Sequence, residues 1–293
     1  GLEALERGVG SNRALLPWLE SLLPRASRER LAALAALAPA SGGALPDAPT
    51  PVPGPVQTIA GLRFRALRGG SFQVSGESPE GRAVPYLVTL PPYSLAETEV
   101  TRRQWASFLA AVPAWRPENR ERLVAEGLAD ESYLADWGTE RPDEPVTGVS
   151  WEAARAYCAW LSLSAPAGRE VRLPSEAMWE HAAGVGGDAK KPDGVFSRPD
   201  RRGPEAAASR DALGLYDLFG NVWEWCSDAY VPYPALLPEG SPWIGSERSV
   251  RGGGWADRAE TVDLGSRGSF PPSFSSPFLG FRPAMVDLRT GRR

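Results

Sequence analysis

Apolar side chains recur along this chain with two different periods, and long stretches obey neither. Leu15, Leu16, Leu19, Leu22 and Leu23 repeat at helical spacing, and an Ala/Leu-rich segment follows from Arg28 to Ala38. Residues 1–40 are therefore expected to form a helical segment, punctuated by Pro17, Pro24 and Pro39. The run SGGALPDAPTPVPGP from Ser41 to Pro55 reads as extended Pro-rich chain, and 41–60 is assigned as a linker ahead of a main domain at 61–293.

The main domain opens on FRALRGGSFQV, Phe64 to Val74, where apolar residues flank Gly69-Gly70 as in a strand pair or a tight bend. Thr101-x-x-Gln104 makes a capping box before Trp105, Phe108, Leu109 and Val112, which share one helical face. Ser150 is placed to cap a second helix with the buried stripe Trp151, Ala154, Cys158 and Leu161, so Cys158 is read as core rather than as a reactive thiol. A third helix is expected from Pro174-Ser175, carrying Met178, Trp179 and Ala182. Its His181 has no partner nearby in sequence, and a hydrogen-bonded or surface role is expected of it.

From Gly184 to Ser209 the chain reads as loop, and short aromatic strands are expected at Gly214 to Asp217, Gly220 to Cys226 and Ser249 to Trp255. Few long helices, frequent Gly/Pro breaks and 11 tryptophans indicate a loop-rich α+β domain.

Composition narrows the function classes. At 293 residues, 42% hydrophobic and 23% charged, the chain can bury a sizeable core. A net charge of -4 provides no basic field, so nucleic acid is not an expected partner. No apolar run reaches the roughly 18 residues of a transmembrane helix, and the opening GLEALERGVG lacks the basic-then-apolar order of a signal peptide; the compartment stays open. Two cysteines make no disulfide framework, and one histidine makes no multi-histidine zinc or iron site. Basic residues are almost all Arg, with Lys only at Lys190 and Lys191; a heat-adapted source and a GC-rich genome both account for this.

A series of short motifs spans residues 64–285: Arg68-Gly69-Gly70-Ser71-Phe72, Glu99-Val100-Thr101, Val149-Ser150-Trp151, Arg172-Leu173-Pro174-Ser175-Glu176, Gly214-Leu215-Tyr216-Asp217, Gly220-Asn221-Val222-Trp223-Glu224-Trp225, Arg251-Gly252-Gly253 and Gly280-Phe281-Arg282. In this order they resemble the formylglycine-generating enzyme/sulfatase-modifying-factor family, and the resemblance implies an α+β C-type lectin fold. It also implies a copper-binding cysteine pair shortly after Gly252-Gly253, since Cu(I) favours soft thiolates. Residues 254–261 hold no sulfur, and Cys226 is expected to pack. A related branch with a three-histidine iron site is excluded by the single histidine. The chain is accordingly expected not to be an enzyme.

The chain also resembles the variable proteins of diversity-generating retroelements, which share this fold. There, a segment before the terminal Gly-Phe-Arg is rewritten at adenines and forms an antibody-like surface. Residues 256–278 follow neither period, as functional loops of this length often do. Phe270, Phe274 and Phe278 fall every fourth residue, but Pro271, Pro272 and Pro277 oppose a helix, so the rings are read as displayed contacts. Randomising the adenines of AAC codons yields every residue type found at 256–278 except Glu260, a repertoire a GC-rich genome also favours.

By this resemblance the ligand-binding positions are Ala256, Asp257, Arg258, Thr261, Asp263, Gly268, Ser269, Phe270, Ser273, Phe274, Ser275, Pro277 and Phe278. The framework positions are Trp255, Arg267, Gly280, Phe281 and Arg282. The implied partner is a macromolecule, a protein or cell-surface ligand, met by rigid Phe area and directed polar groups. No cofactor is expected beyond a structural Ca²⁺, for which the family motif implicates Asn221 and Glu224 as oxygen donors, with purely hydrogen-bonding roles as the alternative. The expectation is a non-catalytic ligand-binding protein with a diversified surface; an oxidase with an unrecognised site and a structural accessory domain are the alternatives. Oligomeric state is left open.

Overall fold

The computed structural model describes residues 52–74, 86–138, 141–186, 194–197, 203–230 and 246–288. The expected helical segment 1–40, residues 41–51 of the linker and parts of the 184–209 loop lie outside the described residues. In chain order the regular elements are β1 (Val56–Ile59), β2 (Leu62–Leu67), β3 (Gly70–Val74), β4 (Tyr86–Leu90), β5 (Tyr93–Ala96), α1 (Arg102–Ala111), α2 (Arg120–Ala125), α3 (Trp151–Ser162), β6 (Arg169–Arg172), α4 (Glu176–Gly186), β7 (Trp223–Ala229), β8 (Arg248–Arg251), β9 (Arg267–Phe270), β10 (Leu279–Gly280) and β11 (Ala284–Asp287). The class is α+β.

The chain divides into two compact units. One comprises 1–50, 71–89 and 231–245; its described part is most of the β3–β4 pair, where the Ser71 and Thr89 hydroxyls meet at 2.7 Å. The other unit carries the remaining described residues and two sheets. A five-stranded antiparallel sheet runs β1-β2-β5-β11-β6, and a four-stranded sheet runs β10-β7-β8-β9, with β10 parallel to β7.

Local signals produced the helices where the sequence placed them. The Thr101 hydroxyl accepts the Gln104 N–H while the Gln104 side chain accepts the Thr101 N–H, and α1 buries Trp105, Phe108 and Leu109. The Ser150 hydroxyl accepts the Ala153 N–H, and α3 buries Trp151, Ala154, Cys158 and Leu161. Ser175 does the same for the Met178 N–H at α4, which buries Met178, Trp179 and Ala182.

Strands departed from expectation where pairing is non-local. Residues 64–74 do not pair with one another: β2 pairs β1 and β5, whereas β3 pairs β4. Val56–Ile59, inside the segment read as linker, is an edge strand. It joins β2 through Ala60-Gly61, both left-handed (φ 45° and 81°), a turn whose twist suits a hairpin. Gly214 to Asp217 is a turn rather than a strand, with Asp217 at φ 52°. The region 113–145, including α2, carried no readable period.

The C-terminal Phe281 locks the core. Its ring sits 5.9 Å from Trp105 and 5.5 Å from Tyr157, edge-on to both, and Trp105 stacks on Tyr157 at 5.5 Å. Edge-to-face rings hold one another by quadrupole complementarity as well as burial. Phe281→Ala is expected to cost about 3–5 kcal/mol, read as a lowered urea midpoint at unchanged m-value.

Candidate functional site

Alternation along β7 gives the small sheet two chemically opposed faces. Trp223 and Trp225 point one way, Glu224 and Cys226 the other. Cross-strand partners share a face, so Trp225, Val250 and Gly268 form one row, with Arg248 opposite Phe270 beside it. Glu224, Arg251 and Arg267 form the corresponding row behind.

The rear face is ionic and buried. Arg282 donates to both Glu224 oxygens at 2.6–2.8 Å and to the carbonyls of Ala96, Glu97, Tyr216 and Asp217. Trp179 Nε1 donates to the same carboxylate at 3.0 Å. Arg251 pairs with Glu180 at 2.5 Å and lies over the Trp179 ring, and Arg267 pairs with Glu176 at 2.6 Å. Asn221 Nδ2 donates to Glu99 Oε1 at 3.0 Å, while its carbonyl accepts the Glu205 N–H at 2.9 Å. Asn221 itself is left-handed (φ 58°) next to Gly220, where a Cβ would lie 2.6 Å from the Val195 carbonyl oxygen.

Charge in this network is unevenly balanced. Burial pushes the Glu99 carboxyl well up, against the pull of Arg282 and with Asp217 and Glu224 adding to the rise. Burial also raises Glu224 and Asp217, both partly offset by Arg282. Glu176 ends lower than usual, because Arg267 and Arg251 outweigh its burial.

The donors present do not suit the metals the resemblance implied. Asn221 and Glu224, put forward for Ca²⁺, are engaged by protein partners, and the Arg282 guanidinium occupies the carboxylate a cation would need. Cys158 and Cys226 are both buried, on α3 and β7, and burial pushes both thiols up, which disfavours the thiolate that Cu(I) binds. His181 Nδ1 meets Tyr93 Oη at 2.9 Å, and burial lowers its pKa. Among the described residues no group of three His, Cys, Asp or Glu is arranged to hold a metal ion.

The front face is aromatic and half-open. Phe270 meets Trp225 edge-on at 6.3 Å, stacks on Phe274 at 4.5 Å and 14°, and lies 6.1 Å from Phe278. The Trp223 indole lies across Gly268, where a Cβ would come 3.0 Å from Val250 and 3.5 Å from that indole. Trp223 Nε1 donates to Asp257 Oδ2 at 2.8 Å, an oxygen that also accepts the Gly254 N–H. The result is a ledge of Trp223, Phe270, Phe274 and Phe278, each half-buried.

The loop 256–278 is thus more ordered than its sequence suggested. It contains β9 and a short 3₁₀ turn at Ala259–Thr261. The three Phe rings are not freely displayed contacts; they pack on the core and on each other, leaving part of each ring open. Ala256, Arg258, Thr261, Asp263 and Pro277 are exposed. Asp257, Gly268, Ser269 and Ser273 are half-buried, and Ser275 is buried, its N–H donating to Asp130 Oδ2. Of the framework positions, Gly280, Phe281 and Arg282 are buried, while Trp255 and Arg267 are half-buried. Trp223, the ledge residue not singled out as a contact in advance, was visible as an aromatic within a polar motif but carried no signal of partial exposure. A separate groove of about 370 Å³ lies along β1, β2 and β5, lined by Pro55, Phe64, Ser94, Arg169 and Asp287 among others.

Residues 63–286 match the family model described as "Sulfatase-modifying factor enzyme 1-like domain". The chain is 30% identical to the formylglycine-generating enzyme of Streptomyces coelicolor, over 83% of this chain and 98% of that protein. It is 32% identical to "Inactive C-alpha-formylglycine-generating enzyme 2" of Mus musculus, over 74% and 84% respectively. Among solved structures, PvdO from Pseudomonas aeruginosa superposes with a TM-score of 0.62 at 24% identity, covering 80% of this chain and 98% of that one. Treponema denticola variable protein 1 superposes at 0.55 with 23% identity, covering 78% and 98%. At these identities the two structures speak for the fold alone.

The crowded carboxylates behind the ledge set a pH dependence. A carboxyl whose pKa is raised in the fold contributes fully below its ordinary value and loses that contribution as pH rises through the folded value. Glu99, Glu224 and Asp217 act in this sense, whereas the lowered Glu176 costs stability as pH falls below the ordinary carboxylate range. The melting temperature is expected to peak in mild acid and fall from about pH 5 upward. Glu99→Gln, which keeps an acceptor for Asn221, should flatten that fall in a thermal-melt series.

Proposed function

The chain belongs to the sulfatase-modifying factor enzyme 1-like family, and on that premise we propose that it is a non-catalytic ligand-binding member whose binding face is the aromatic ledge. The observation that carries this reading is the half-open ring cluster of Trp223, Phe270, Phe274 and Phe278, pinned from behind by Trp225 and edged by exposed loop residues. Rigid aromatic area that is already ordered binds with little entropy to lose. Asp257, the acid bonded to Trp223, already accepts from the indole and from Gly254, and no thiol or imidazole belongs to the ledge. A relative that is named inactive supports the absence of catalysis.

Similarity to the Streptomyces coelicolor enzyme over nearly its whole length favours a second reading, an oxidase using donors other than a cysteine pair. An oxygen electrode separates the two. With copper and a cysteine-containing peptide, the protein is expected to consume no oxygen above the buffer rate; sustained uptake would favour the oxidase.

Within the binding reading, the finer proposal is a C-type lectin-type domain with a retroelement-diversified loop that meets a protein or cell-surface ligand. Exposed Ala256, Arg258, Thr261, Asp263 and Pro277 support it, because they can change without disturbing the core. Sequencing codons 250–285 across a population of the source should then find substitutions at these five and constancy at Phe270, Ser275 and Gly280 to Arg282. An invariant loop without a nearby template copy would remove diversification.

A further inference from the structure

Arg248 stands opposite Phe270 in the β8–β9 register, so its side chain rises on the aromatic face. Its guanidinium carbon lies 4.3 Å from the centroid of the Trp151 ring, a cation–π contact that fixes where the charge sits. Its Nε is buried without a hydrogen-bond partner, and among the described residues no carboxylate pairs with it. The two neighbouring arginines of the sheet are matched, Arg251 with Glu180 and Arg267 with Glu176. Arg155, 5.5 Å from the centroid of the same indole, is neutralised by Glu152 at 2.8 Å. Two cations share one ring, and among the described residues only Arg155 has an acid.

The half-exposed Arg248 therefore leaves its terminal nitrogens as a donor fork without an acceptor among the described residues, next to the Phe270–Phe274 stack. One uncommitted positive charge matches a monoanion. Asp130, which accepts the Ser275 N–H beside Phe274, already brings a negative charge to this side of the stack, so a phosphate dianion is the poorer match. The segment between the two rings is fixed to the helix under Arg248, since the Trp151 N–H donates to the Pro272 carbonyl at 3.0 Å. Guanidinium and ring stack are thus held by a common support.

We propose that Arg248 and the Phe270–Phe274 stack form a recognition site for a carboxylate carried next to an aromatic or large apolar group, the chemistry of a peptide's C-terminal residue. The site rests on the reading of the ledge as a binding face.

N-acetylphenylalanine and N-acetylphenylalaninamide share the ring and differ in carrying a carboxylate or a neutral carboxamide, and ligand-observed NMR titration of the full chain with each tests the site. The acid is expected to bind at least about tenfold more tightly than the amide. Arg248→Gln should bring the two within about twofold, Arg248→Lys should retain part of the preference, and Phe274→Ala should weaken both ligands. Circular dichroism on each variant verifies the fold. Equal binding of acid and amide, an unchanged preference in Arg248→Gln, or no binding of either would overturn the carboxylate site. Equal binding that Phe274→Ala still weakens would leave the ledge reading standing and sink the carboxylate assignment alone.

Discussion

One buried guanidinium ties the larger unit together. Arg282 lies between β10 and β11, so the same residue borders the last strand of the small sheet and the penultimate position of the large one. It reaches Glu224 on β7, the Ala96 and Glu97 carbonyls at the end of β5, and the Tyr216 turn. Burying such a pair is costly, and removing either partner would strand the other charge in the interior. Phe281, its neighbour, presses into the rings of α1 and α3. Two adjacent residues thus position the helices, both sheets and, through Glu224, the strand whose opposite face carries the ledge.

The parts of this architecture set by neighbours in sequence were legible. Thr101, Ser150 and Ser175 act as caps through bonds three residues long, and the stripe through Cys158 follows from helical period alone. Pairing was not legible at Phe64 to Val74, because β2 and β3 choose partners elsewhere in the chain. Oxygen donors at Asn221 and Glu224 suggested a cation, but the cation present is an arginine 58 residues further on. The three Phe of the loop were recognised as a group, while their seat on Trp225 depends on contacts that no period encodes. Arg248 offered only a faint sign, a charge within the short strand RSVR that would elsewhere demand an acid.

The sidedness of the small sheet separates the ionic network from the face proposed for recognition. On one face, carboxylates and guanidinia are matched and closed off; on the other, rings are packed from below and left open above. Because one strand alternates between the faces, Trp223 and Trp225 inherit the rigidity of the Glu224 network without sharing its chemistry. Side chains at the loop's exposed edge can therefore differ widely between relatives without loosening the floor beneath them.

On the proposed binding reading, the ties on residues 272–276 bear on how fast the face would take up a ligand. The Pro272 carbonyl accepts from Trp151, the Ser276 carbonyl accepts from Gly148, and the Ser275 N–H reaches Asp130. A segment anchored this closely has no ordering step left to make when a ligand arrives. Association is then governed by diffusional encounter, and differences in affinity among ligands reside in how long each one stays.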